Sequence, residues 1–171
     1  LGNLMGSLQG EDISLAYNKK RAAKNVLIVV ITSDKGLCGG FNSNIIKTTS
    51  RLLNETYLEQ RTAGGVSMLF VGKKGFDAFK KSKEINSNTE HVNLMNGVTF
   101  EKSQAVSETI TADFLAEKYD VVELVYAKFV NAATQHFMVE RFLPVEKTEE
   151  EKTILVKTNN EYIFQPDKHQ L

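Results

Sequence analysis

Residues 26–42 read VLIVVITSDKGLCGGFN, and the junction inside that stretch decides the fold. Residues 26–32 form an apolar, largely β-branched run closed by Thr32. A strand with one wet face would alternate polar and apolar residues, so an unbroken run predicts a strand buried on both faces, as in the interior of a parallel sheet. Gly36, Gly39 and Gly40 then break it, and from Phe41 the apolar positions Phe41, Ile45, Ile46, Leu52 and Leu53 recur at helical spacing. The unit is strand, glycine-rich loop, helix.

A second such unit follows. Residues 67–71 (SMLFV) read as a short strand, residues 72–75 as a turn, and Phe76, Phe79 and Lys80 as the start of a helix. Residues 81–96 are polar with little pattern, a loop with room for one short strand. Residues 100–118 predict a helix whose buried stripe is Val106, Ile110 and Phe114. Residues 121–130 and 135–143 are strands whose four-residue separation suits a hairpin. The fold class is therefore α/β: a Rossmann-like mixed sheet of about five strands, with helices on its faces and an antiparallel hairpin.

Residues 1–25 begin with Leu4 and Leu8 and turn basic through Lys19, Lys20, Arg21 and Lys24, which reads as a residual helix end and a linker. The domain proper is expected to run over 26–166. Within it, residues 146–152 are a charged, solvated excursion and residues 162–164 a last short strand. Pro166 suits the first turn of a helix, so 167–171 are read as its start. Because the chain opens at Leu1 and stops on a new periodic segment, a piece of a longer protein is expected.

Lys plus Arg and Asp plus Glu each number 21, so overall charge offers no footprint for nucleic acid or an anionic membrane. The longest apolar run is far short of the roughly 20 residues that cross a bilayer. A single cysteine, Cys38, forms no internal disulfide, and a reducing compartment is expected.

The loop after the first strand has three chemical readings. A phosphate cradle requires a second glycine five residues beyond Gly36 and then a lysine; Phe41 and Asn42 stand there instead. The dinucleotide pattern G-x-G-x-x-G fails as well, so no direct nucleotide, cofactor or metal is expected. Gly36-Leu37-Cys38-Gly39-Gly40 matches a nucleophile elbow with cysteine for serine, which makes a cysteine-dependent hydrolase using Cys38 the alternative function. Five residues separate that cysteine from the strand, however, and of His91, His136 and His169 only His136 falls on a strand, where it is expected exposed. The third reading is structural, with small residues allowing a close backbone approach while Asp34 and Lys35 present charge at the tip. Gly72-Lys73-Lys74-Gly75 has the G-x-x-G form that clamps nucleic acid in KH domains, but it follows a strand in a neutral chain and reads as a plain turn.

Together the strand and loop resemble the first strand of the F-type ATP synthase gamma subunit, with its pattern S/T-D-K/R-G-L-C-G. Val71-Gly72-Lys73-Lys74-Gly75 is similar to that family's glycine-lysine-glycine turn. Tyr126-Ala127-Lys128-Phe129-Val130-Asn131 with Gln135 resembles its hairpin, and Phe142-Leu143-Pro144 the end of that hairpin. Tyr162-Ile163-Phe164-Gln165-Pro166 resembles the approach to its C-terminal helix, except that Gln165 stands where an acidic residue is usual.

The resemblance implies a non-catalytic rotor subunit of the central stalk, which couples proton-driven ring rotation to ATP synthesis on the catalytic subunits. Its implied partners are the alpha and beta subunits of the catalytic hexamer, the epsilon subunit and the membrane c-ring. Its implied place is the cytoplasmic face of the bacterial inner membrane, as a peripheral subunit, with a mitochondrial or chloroplast equivalent as the alternative. The interface residues carried over are Asp34, Lys35 and Gly36 towards the catalytic subunits, and Tyr162 and Phe164 towards the foot, where epsilon and the ring are met.

Overall fold

The computed structural model describes residues 16–36, 39–95, 97 and 99–145. Among these, five strands form one sheet in the order β3-β2-β1-β4-β5. They are β1 (Val26–Ile31), β2 (Val66–Val71), β3 (Ile85–Asn88), β4 (Val121–Asn131) and β5 (Thr134–Leu143). β1 pairs in parallel with both β2 and β4, β3 runs parallel to β2, and β5 returns antiparallel to β4. The mixed α/β sheet with its hairpin is the class that the sequence predicts.

The central place of β1 explains its composition. Val26, Ile28 and Val30 point into one apolar cluster with Ile45, Leu53 and Phe70. Leu27 and Val29 point into a second cluster with Val106, Ile110 and Phe114. Helix α1 (Phe41–Arg51) covers the first face. Leu52–Thr56 continue it as a wider π turn, and α2 (Leu58–Thr62) follows. The helical spacing through Leu52 and Leu53 holds, since both are buried, but the wider turn left no mark in the pattern.

Helix α3 (Lys73–Phe79) begins directly after β2, where residues 72–75 were expected to form a turn. Gly72, at φ 95°, makes the whole reversal by itself, because a Cβ there would stand 2.0 Å from the Thr32 carbonyl oxygen. Gly75 is thereby drawn into the helix, and its N–H donates to the buried Thr32 hydroxyl at 2.9 Å.

The second face carries α4 (Phe100–Leu115), capped by the Thr99 hydroxyl, which accepts from the Lys102 N–H. Its buried residues are Val106, Ile110 and Phe114, the predicted stripe. It ends before residue 118 because Glu117 takes a left-handed φ of 63°. The β4–β5 turn tightens to Ala132 and Ala133, with Asn131 opposite Thr134. Register with β1 stops at Val125, so the rest of the hairpin extends beyond the sheet. The charged run 146–152 and the strand expected at 162–164 lie outside the described residues.

Candidate functional site

The loop that leaves β1 is built around Asn42, in the first turn of α1. Its side-chain oxygen accepts from the Ser33 N–H at 3.0 Å, and its amide donates to the Ser33 hydroxyl at 2.8 Å and the Lys35 carbonyl at 3.1 Å. The position where a phosphate loop would carry lysine therefore holds a neutral brace that closes the loop on its own helix. A second attachment comes from α3: the Lys73 N–H donates to Asp34 Oδ1 at 3.1 Å and the Lys74 N–H to the Ser33 carbonyl at 3.2 Å. Of the two charges expected at the loop tip, Lys35 is exposed, whereas Asp34 is half-buried and turned back towards α3. Gly36 is exposed, with the end of the Lys74 side chain nearby. Tyr162, Phe164 and Cys38 lie outside the described residues. His136, expected exposed, is half-buried on β5 opposite Lys128.

Two charged clusters escaped the sequence reading. On the α1 face, Glu123 is 5% exposed and accepts from the Tyr57 hydroxyl at 2.5 Å and from Arg141 Nε at 3.0 Å. Burial, and then the Glu123 carboxylate beside it, push the Tyr57 hydroxyl well above its ordinary value, so this phenol stays protonated. A buried carboxyl held by an arginine and a phenol is a satisfied structural group.

The second cluster lies just before the start of β4, at Asp120. Arg21 Nε donates to Asp120 Oδ1 at 3.1 Å, and Nη2 donates to the carbonyls of Phe114 and Tyr119. The guanidinium also stacks 4.5 Å above the Phe114 ring. Asp120 Oδ2 accepts from the N–H groups of Lys24 and Asn25. Burial alone would raise the Asp120 carboxyl, but the Asn25 and Lys24 N–H groups and the guanidinium outweigh it and hold the carboxyl below its ordinary value.

The apolar hollow under α4, of about 290 Å³, is lined by Val29, Ile31, Val71, Ile110, Leu124 and Phe142 among others. Among the described residues that line it, Ser103 and Ser107 bring side-chain hydroxyls. Among the described residues no three His, Cys, Asp or Glu side chains gather closely enough to hold a metal. No described helix is long and apolar enough to cross a membrane. What these groups can do is hold loops and linkers in place.

The sequence profile of the ATP synthase family matches residues 1–171, the whole chain. The chain belongs to the ATP synthase gamma family. It is 36% identical to the ATP synthase gamma chain of Cytophaga hutchinsonii over 171 residues, all of this chain and 57% of that one. It is 37% identical to the gamma chain of Flavobacterium johnsoniae, again over 171 residues and 56% of that relative. This gamma-family chain thus spans a little over half the length of these curated relatives. Among solved structures it resembles a chain of the Tetrahymena thermophila mitochondrial ATP synthase central stalk and c-ring, with a TM-score of 0.55 and 26% identity. That match covers 87% of this chain and 67% of the other.

Proposed function

We propose that this domain is the globular part of a non-catalytic rotor subunit in the central stalk of an F-type ATP synthase. The observation that carries the proposal is the likeness to the Tetrahymena central-stalk chain, which spans most of this fold. The geometry agrees with it. A torque-bearing part needs a stiff sheet and fixed loops, and both buried charge clusters hold elements together, with every charged group in them paired.

In this role the domain occupies residues 26–166, between a helix end and linker at 1–25 and the start of a helix at 167–171. It works with the alpha and beta subunits, the epsilon subunit and the membrane c-ring, as a peripheral subunit at the cytoplasmic face of a bacterial membrane. ATP chemistry takes place on the beta subunits. Asp34, Lys35 and Gly36 face the catalytic hexamer, with Lys35 the group that meets acidic side chains; Tyr162 and Phe164 lie towards the foot. The test is complementation. Membranes stripped of their gamma subunit should regain ATP-driven proton pumping when the full-length subunit is supplied, with one copy per catalytic hexamer. Tight assembly without restored pumping would contradict the coupling role.

A further inference from the structure

The stretch that enters β1 is held from both sides. On the β4 side, Asp120 receives the Lys24 and Asn25 N–H groups through one oxygen and Arg21 through the other, and the Asp120 N–H donates to the Asn25 carbonyl at 2.7 Å. On the β2 side, the Gln60 amide donates to the Ala23 carbonyl at 2.8 Å, and the Val26 N–H donates to the Gly65 carbonyl at 2.8 Å. Gly65 lies so close to the linker that a Cβ there would stand 2.1 Å from the Lys24 carbonyl oxygen. A linker between two rotating bodies needs no such fixing if it serves only as a tether.

Arg21 does more than neutralise Asp120. The Phe114 carbonyl that it reaches, which also accepts from the Glu117 N–H, belongs to the last turn of α4, where the helix dipole favours a cation. Its fork thus joins the incoming chain to the end of α4, to the α4–β4 turn at Tyr119 and to the start of β4. Residues 16–18 just before it are helical, and the Val145 N–H, beyond the end of β5, donates to the Tyr17 carbonyl at 2.9 Å. The helical residues that precede the linker and the residue that follows β5 are therefore fastened side by side at one end of the sheet.

We infer that residues 21–25 are the joint through which twist passes between the flanking chain and this domain, with Arg21 as the positioning residue that sets its stiffness. The inference rests on the rotor reading. A hinge would dissipate rotation as bending, whereas a double clamp turns the domain with the chain that enters it.

The test uses the full-length subunit in its assembled complex, with a bead on this domain and the catalytic subunits fixed to a surface. The angular variance of the bead is recorded in the absence of nucleotide, and its rotation after ATP is added. Angular variance varies inversely with torsional stiffness, and the joint lies in series with the rest of the rotor, so loosening one of its two clamps should raise the variance by up to about twofold. Arg21→Gln removes the cation and is expected to give that rise. Arg21→Lys keeps a charge for Asp120 but loses the fork, and should fall between Arg21→Gln and the parent. A purely stabilising arginine would change the yield of assembled complex but not the variance of those that assemble. If Arg21→Gln does not assemble, Arg21→Lys decides alone: variance above the parent's supports the joint, and variance equal to it overturns the joint. A parent bead that fails to turn with ATP would remove the rotor reading itself. A parent that turns, with both variants matching its variance, would remove only the joint.

Discussion

The two ends of the sheet are held by different chemistry. Where the parallel strands finish, the loop after β1 is braced by the neutral Asn42 amide and by backbone N–H groups of α3, with Lys35 left exposed. Where the strands begin, the linker is braced by an ion pair whose side chains are only 16% and 12% exposed. Chiefly neutral bonds, the one from the Lys73 N–H to the Asp34 carboxyl apart, suit a loop that presents a surface, because each is worth about 1 kcal/mol and the loop can give slightly on contact. A buried charge pair suits a joint, because opening it strands an unpaired charge and is strongly opposed.

That difference can be broken most directly at the linker. Asp120→Ala leaves Arg21 facing two carbonyls without its counter-charge and removes the acceptor of the Asn25 N–H, while the Lys24 N–H keeps its bond to the Ala22 carbonyl. It should cost about 3 kcal/mol in denaturant unfolding. The same pair should fail in acid. The Asp120 carboxyl is held below its ordinary value of 3.8, so its contribution is complete above that pH and is lost as the pH falls through the lower folded value. An Asp120→Asn variant should accordingly lose the part of the parent's acid unfolding that depends on this group.

At the opposite end, Asn42→Ala removes three side-chain hydrogen bonds, all to neutral groups in a partly wet loop. A smaller cost of about 1 to 2 kcal/mol is expected, with no acid component. A loss equal to that of Asp120→Ala would erase the distinction between the two ends.

The smallest effect on stability belongs to Lys35. Lys35→Glu should leave unfolding within about 0.5 kcal/mol of the parent, as exposed substitutions do. If Lys35 meets acidic groups on successive catalytic subunits, each encounter is worth about 0 to 1 kcal/mol. The full-length variant should then assemble normally yet show altered coupling of ATP hydrolysis to pumping at low salt, an effect that fades as salt screens it. Lys35→Arg should match the parent. Unchanged coupling at low salt would leave Lys35 an ordinary solvated lysine.

The unequal legibility of the two ends in the sequence has a physical cause. Burial on both faces writes itself into β1 as an unbroken apolar run, and the one-sided burial of α4 as the spacing of Val106, Ile110 and Phe114. Both are properties of a single segment. The clamp depends on Arg21 and Asp120, 99 positions apart, each of which reads locally as a charge in a polar stretch. Glu123 offered more, since an acid inside an apolar strand calls for a partner, and Arg141 faces it across the hairpin register. Nothing local pointed to Tyr57, which reaches Glu123 from beside a π turn that the apolar spacing did not reveal. The glycines were visible, but the chain's alternation could not show that Gly72 turns alone while Gly75 sits inside a helix. An interface role for Asp34, Lys35 and Gly36 is an expectation from the family resemblance; the bracing of their loop by Asn42, through Ser33 and Lys35, emerged only in three dimensions.

Rotation of this domain inside a working complex tests the assignment most directly. With the catalytic subunits fixed to a surface and a bead attached to an exposed β4–β5 hairpin residue of the full-length subunit, ATP should drive sustained turning in one direction. That turning should stop when hydrolysis is inhibited. A bead that only fluctuates about a fixed angle, in complexes that hydrolyse ATP at the normal rate, would show that this domain does not turn with the rotor.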